Sequence, residues 1–290
     1  MAVLTTCEGT TIQGIEAWGA HCASGYRKFL VQLGQLTPLG RGSLRRVWVR
    51  ELRKTGSLFD VQLKGTRVRL EIGDNRSEIK ALVQGDAFMQ AERMAIHRAK
   101  QAGQPLYIID IGANAGLFSA IALHEAGDDT RLLAIEPNPR LRRRLETNIE
   151  FNQRDAQVEI LPCALGRARG EMSFLVDNND LGGGGLAAHR AHKMHGTHLT
   201  VPVRPLAEIV EAASFHRIDV LKIDVEGAED QILMPFLETV DPTFWPQQIL
   251  IEIAHRTVWQ SDLLEALYTH GYALTEQSGA DATLMRRTVP

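Results

Sequence analysis

The stretch Leu106-Tyr107-Ile108-Ile109-Asp110-Ile111-Gly112-Ala113-Asn114-Ala115-Gly116-Leu117-Phe118-Ser119 decides the fold. Its first six residues form a short, almost wholly apolar run, and such runs are buried on both faces, as in a parallel sheet. A glycine-spaced loop follows, and then a helix over Leu117–Ala126. In open α/β sheets a loop between strand and helix is where ligands are held. Gly112 permits a tight turn and Gly116 a close approach of backbone to ligand, although a plain strand-to-helix turn would use the same two glycines.

The rhythm continues outward from this stretch. Further strands are expected at Leu132–Ile135, Val158–Leu161, Val220–Ile223 and Ile249–Ile253. Helices are expected at Pro139–Asn152, near Glu229–Leu237 and at Ser261–His270. Strands that alternate with helices imply a doubly wound, mostly parallel sheet. Tyr272–Thr275 and Thr283–Arg287, joined by the turn Ser278-Gly279-Ala280, add a C-terminal antiparallel strand at or near an edge. Upstream, a helix over Ala87–Ala102 ends at Gly103. Residues 26–54 carry apolar positions at helical spacing, broken by Pro38, Gly40 and Gly42. Leu58–Leu63 and Val68–Ile72 alternate around Lys64-Gly65-Thr66 and read as a hairpin. The expected organisation is an N-terminal helical and hairpin extension over 1–85 and a catalytic α/β domain over 86–290.

Composition narrows the classes. With 44% hydrophobic and 23% charged residues among 290, the chain is neither disordered nor fibrous. No apolar run approaches the roughly 20 residues that span a bilayer. The N-terminus lacks a secretory pattern, and three scattered cysteines make neither a disulfide framework nor a zinc site, so a cytoplasmic location is expected. The net charge of −3 divides into +7 over residues 1–70 and −10 over the remainder. That split suggests either a basic arm for nucleic acid or a solvated amphipathic face.

Three details define the ligand. The loop reads Gly-x-Asn-x-Gly, not the Gly-x-Gly-x-x-Gly of dinucleotide binders. Asp110 closes the strand before it, where a carboxylate suits the cationic end of a ligand. Glu136 closes the next strand, 26 residues on, and an acid there can grip both ribose hydroxyls. A ribose joined to a positively charged amino-acid tail, with no phosphate, describes S-adenosylmethionine (SAM).

The loop, Glu136-Pro137-Asn138 and Leu221-Lys222-Ile223-Asp224-Val225-Glu226-Gly227-Ala228-Glu229 together resemble the FkbM family of SAM-dependent methyltransferases, over about residues 107–253. The resemblance implies a Rossmann-like class I methyltransferase that methylates a hydroxyl oxygen of a sugar or natural product. It carries SAM-binding positions over to Asp110, Gly112, Ala113, Asn114, Gly116 and Glu136. Cys163-Ala164-Leu165 would line the adenine, with Ala164 as the contact, and Asp224 would also face the cofactor.

Asp224, Glu226 and Glu252 fall at or just beyond the ends of the fourth and fifth strands, and His255 lies further on. Transfer to an alcohol is helped by a base within hydrogen-bond reach. The candidates, in order, are Asp224, His255 and Glu226, with Glu226, Glu252 and His255 also placed near the acceptor. Glu226 has the alternative role of capping the following helix. The three acids could supply oxygen ligands, but no metal is expected. Between strands, Gly182 to Gly185 and His189, His192, His195 and His198 read either as a mobile substrate lid, with Gly183 and Gly184 near the acceptor, or as a floppy insertion. Histidines three apart on a helix step around it by about 60°, so four cannot share one ion. The expected partner is a small hydroxylated acceptor. Nucleic acid is not expected, because Trp48 and Phe59 sit in core-like patterns. The N-terminal extension would cover the acceptor or form a homo-oligomeric contact. An RNA methyltransferase and a non-catalytic SAM-binding interaction protein are the alternatives.

Overall fold

The computed structural model describes residues 16–103, 105–177, 180–186 and 196–287, with side chains from 184 to 186 left aside. The chain opens with α1 (Gly25–Leu36), α2 (Arg45–Arg53), the strands β1 (Leu58–Leu63) and β2 (Thr66–Glu71), α3 (Arg76–Gln84) and α4 (Gln90–Ala102). The alternating part follows as β3 (Leu106–Ile111), α5 (Leu117–Ala126), β4 (Thr130–Ile135), α6 (Pro139–Glu150) and β5 (Val158–Leu161). Four strands come next: β6 (Ala164–Leu165), β7 (Gly170–Asp177), β8 (Asp180–Leu186) and β9 (Gly196–Arg204). The chain returns to alternation with α7 (Leu206–Ala212), β10 (Val220–Ile223), α8 (Glu229–Thr239), β11 (Gln248–Glu252) and α9 (Leu263–Thr269), then closes with β12 (Tyr272–Ser278) and β13 (Asp281–Arg286).

The central sheet has seven strands in the order β12-β13-β11-β10-β3-β4-β5. β11, β10, β3, β4 and β5 are mutually parallel, and β13 runs antiparallel between β11 and the edge strand β12. The strand order reverses between β3 and β10, which creates the crevice where open α/β sheets bind ligands. Along β3 the side chains alternate between two cores, as the twofold strand period requires. Leu106 and Ile108 enter one, and Tyr107, Ile109 and Ile111 the other. This is why the run is apolar without interruption until Asp110.

The first core also takes in Leu30, Trp48, Phe59 and Leu70. The N-terminal helices and hairpin are therefore packed against α4, α5 and one face of the sheet. Trp48 donates its indole N–H to the Leu30 carbonyl at 2.8 Å, and its ring lies where a Cβ on Gly34 would sit. Phe59 is fully buried beneath the Arg27 guanidinium, 3.8 Å from the ring centre. Neither aromatic is available to stack on a base.

The segment expected to be a lid differs. Gly182, Gly183 and Gly184 lie within β8, which pairs with β7 in a second, four-stranded sheet of order β6-β9-β7-β8. Reading the run as a hinge counted the freedom of glycine and missed that strands lacking side chains can lie flat against neighbouring backbone. His198 is exposed on β9 with its ring nitrogen 2.8 Å from Ser173 Oγ, away from any helix; His189, His192 and His195 lie outside the described residues. Among the described residues, no helix is long and apolar enough to cross a membrane.

Candidate active site

The loop between β3 and α5 is held by backbone. The N–H groups of Gly112 and Ala113 both donate to the Ile135 carbonyl at 3.0 Å, which ties the loop to the end of β4. Gly112, Asn114 and Gly116 have φ of +75°, +55° and +75°. Gly112 is required on two counts, since a Cβ there would also lie 2.0 Å from the Asp224 carbonyl oxygen across the crevice. At Gly116 it would lie 2.3 Å from Leu145 on α6. Asn114 tolerates the left-handed region because its Oδ1 accepts the next N–H, that of Ala115, at 2.7 Å.

Glu136 ends β4 and faces the loop. One carboxylate oxygen accepts the Asn114 N–H at 2.8 Å and the other the Asn138 N–H at 2.7 Å. Burial pushes this carboxyl up to about 7, against the pull of the two N–H donors. Around it lies a cleft at the carboxyl ends of the parallel strands. Gly112 and Asn114 form its floor, Glu136 and Pro137 one wall, Cys163 and Ala164 another, and Asp224 and Glu226 the far end. Leu181 and Gly182 of β8 also line it, so this part of the expected lid stands in the cleft wall as a paired strand. A Cβ on Gly182 would lie 2.6 Å from Asn114 Nδ2.

Three carried-over positions are not in the cleft lining. Ala113 is buried within the loop, and Gly116 begins α5. Asp110 is fully buried, accepts the Ser119 hydroxyl at 2.6 Å and lies 3.7 Å from Lys222 Nζ. Its carboxylate is directed into the sheet, because β3 turns that side chain to the same face as Ile108.

At the far end the acids converge. Asp224 lines the cleft and also a smaller neighbouring cavity that includes Lys222, Glu252, Glu92 and Asp281. Burial, followed by the negative charges of Asp224 and Glu226, pushes Glu252 up to about 8. His255 Nε2 lies 2.8 Å from Glu226. Ligand atoms of Glu226, Glu252 and His255 lie within 4.8 Å of one another, a spacing that could hold a cation. The turn after β10 is held by Glu229, whose Oε1 accepts the N–H groups of Val225 and Gly227 at 3.1 and 3.2 Å. Glu226, with φ +60°, sits inside that turn and does not cap α8, whose N-cap is Ala228 and has no side-chain cap.

The sequence reading missed two residues. Asn75 donates to Asn114 Oδ1 at 2.6 Å and accepts the Ser77 N–H as the cap of α3. The signal was there, since Asn75-Arg76-Ser77-Glu78 has a cap residue followed three positions later by an acid. Lys222 is the other. A lysine within the buried run Val220-Leu221-Lys222-Ile223 demands a carboxylate partner.

Sheet order, the loop at the switch point and the acid on the second strand together define a Rossmann-like class I methyltransferase. The methyltransferase FkbM domain matches residues 110–274, more than half of the chain, and the chain belongs to that family. It is 25% identical over 203 residues to the methyltransferase sdnD of Sordaria araneosa, covering 61% of this chain and 74% of that one. It is 28% identical to Methyltransferase 1 of Beauveria bassiana over 48% of this chain and 60% of that one. A match at 26% identity to the AMB antimetabolite synthetase AmbE of Pseudomonas aeruginosa covers 60% of this chain and only 10% of that protein. Among solved structures, methyltransferase FkbM from Methylobacillus flagellatus KT aligns with a TM-score of 0.45 and 13% identity, covering 87% of this chain and 61% of that one.

Proposed function

We propose that the chain transfers the methyl group of SAM to a hydroxyl of a small acceptor, a sugar or other natural product. The observation that carries this reading is the cleft itself, with a ribose-type acid on one wall and a carboxylate cluster at its far end. The residues present fit the cofactor. Glu136 has both oxygens pre-aimed by backbone donors and keeps lone pairs for two hydroxyls. Ala164 and Cys163 offer an apolar wall for the adenine, and burial pushes the Cys163 thiol up, so it remains a neutral contact. Asn114 and Gly112 leave room for the ribose.

When bound, SAM supplies a sulfonium methyl group. The chain's residues then orient the acceptor and take its proton. Asp224 would stand where it could take the hydroxyl proton of an acceptor aligned with that methyl group, so that proton loss and methylation of the oxygen are coupled. Alignment of this kind is worth about 7–11 kcal/mol of the barrier, and a positioned base about 10²–10⁴-fold in rate. Glu226 and His255, paired beside Asp224, face the acceptor side.

Isothermal titration with SAM tests the cofactor half. Saturable binding that is weakened in Glu136→Ala is expected; no binding, or no effect of that change, sinks the reading. Mass spectrometry of hydroxylated acceptors incubated with enzyme and SAM tests the reaction, with a gain of one methyl group on oxygen as the expected product.

A further inference from the structure

Among the described residues, Lys222 is the largely enclosed lysine whose ammonium lies between two strand-end acids. The sheet register explains its place. Lys222 of β10 stands opposite Asp110 of β3, and Asp224 lies one residue past the end of β10. Lys222 and Asp110 therefore share a face with Val220 and Ile108, and the lysine also reaches the acid just beyond the strand end. Lys222 Nζ is 3.7 Å from Asp110 Oδ1 and 3.7 Å from Asp224 Oδ2. The Phe118 ring of α5 lies 5.9 Å away.

The two acids differ in freedom. Asp110 is fully buried and fixed by Ser119, while the Asp224 side chain is 40% exposed at the junction of the two cavities. An anchored anion therefore holds the cation, and the cation holds the anion that faces the site. We propose that Lys222 is a positioning residue that acts through Asp224: clamped by Asp110, it fixes the Asp224 carboxylate at the end of the cofactor cleft, where the acceptor's proton must leave. Asp110 thereby serves the site from below. Burial alone would pull the Lys222 proton off, but Asp110 and Asp224, then Glu92 of α4 and Asp281 of β13, outweigh it and hold the proton more tightly than in free lysine. The inference rests on the proposed reaction for its role and on geometry alone for its contact.

Lys222→Met leaves Asp110 buried without a cation, and the variant can fail to fold for that reason alone. The test therefore uses Asp110→Asn together with Lys222→Met, which removes the pair neutrally and keeps an acceptor for Ser119. Titration with SAM should give an affinity within about threefold of wild type, because neither residue lines the cleft. Turnover of the acceptor found by mass spectrometry should fall by about 10²-fold, the loss expected for a displaced base. Lys222→Arg should recover part of the rate. Adding Asp224→Asn should lower the rate in the wild-type background and change nothing in the double variant, a non-additivity that a merely structural role does not produce. Wild-type turnover in the double variant, or additive losses, overturns the proposal. Crystal structures of wild type and double variant need no activity: an Asp224 carboxylate unmoved in the latter also overturns it. If the chain binds no SAM, the proposed reaction fails, and these structures still decide whether Lys222 places Asp224.

Discussion

Glu136 offers the sharpest test, because its burial links cofactor affinity to pH. Its carboxyl ordinarily titrates near 4.5 and here near 7, the desolvation of a buried group outweighing the two backbone N–H donors. The folded chain holds this proton more tightly than the unfolded chain does. Its contribution therefore lowers stability as pH rises from about 4.5 to 7, by on the order of 3 kcal/mol in total. A ribose whose two hydroxyls donate to the carboxylate favours the ionised form, so SAM binding must expel the proton. Below pH 7 each pH unit should then cost about tenfold in affinity, and above 7 the affinity should level off. Titration calorimetry between pH 5.5 and 8.5 reads this directly, and proton release in buffers of different ionisation enthalpy counts the proton. Glu136→Gln should bind more weakly at pH 8 by roughly tenfold to hundredfold, the loss of a charge-assisted hydrogen bond at about 1.5–3 kcal/mol. Its affinity should not vary through pH 7. Glu78 is the control, being another buried acid raised to about 7 but held by Arg144 instead of facing the cleft. Glu78→Gln should keep the wild-type slope. A flat wild-type profile, or the same slope in Glu136→Gln, refutes the assignment of Glu136 as the ribose acid.

Gly182→Ala should weaken SAM binding by about 5- to 150-fold, the usual 1–3 kcal/mol of overpacking, because the new methyl meets Asn114 Nδ2 at 2.6 Å; unchanged affinity would remove β8 from the site. Glu252 is raised to about 8, so wild-type stability should fall as pH rises between about 4.5 and 8, and Glu252→Gln should make that arm shallower in scanning calorimetry, most clearly above pH 7, where Glu136 and Glu78 add little. Equal pH slopes in the two proteins would count against a buried acid cluster. Phe59→Ala removes a fully buried ring from the first core and should cost about 3–5 kcal/mol. Melting should remain one transition, because the hairpin shares its core with α4 and α5; a separate early transition for the N-terminal segment would contradict that.

The sheet was legible because its signal is local and redundant. Each parallel strand is an apolar run, and each run is followed by a helix with its own period. β3, β10 and β11 therefore fall within a residue or so of expectation. Glu136 and Asp224 were legible for a related reason, since acids that close buried runs have few inert explanations. The second sheet was not legible. β7 is only partly buried and β8 is largely glycine, so neither shows clear alternation, and their pairing is fixed by partners distant in sequence. Asp110 shows a subtler limit. Its position at a strand end suggested a ligand contact, but a strand has two faces, and only the register with Lys222 shows which one Asp110 takes.

The charge division looks different in three dimensions. Its basic N-terminal third suggested a surface for a partner, yet the ion pairs at the junction with the catalytic sheet are made by the acids just past residue 70 and the arginines of α6. Arg69 pairs with Asp60 at 2.7 Å, while Arg144 of α6 reaches Glu71, Asp74 and Glu78 from the other side. Arg140 adds a second contact to Asp74. These pairs surround the short loop that carries Asn75, and that loop also binds the cleft wall, through the Leu181 N–H on the Asp74 carbonyl at 2.6 Å and Arg76 on Asp180. The consequence concerns how the cofactor loop is held. Asn114 is fixed by Ala115 and Glu136 from its own domain and by Asn75 from the N-terminal segment, so two separate parts of the chain converge on the residue at the centre of Gly-x-Asn-x-Gly. A positive φ at a non-glycine residue persists only where its surroundings over-determine it. The N-terminal segment supplies part of that determination, and so belongs to the cofactor site through Asn75 although none of its described residues lines the cleft.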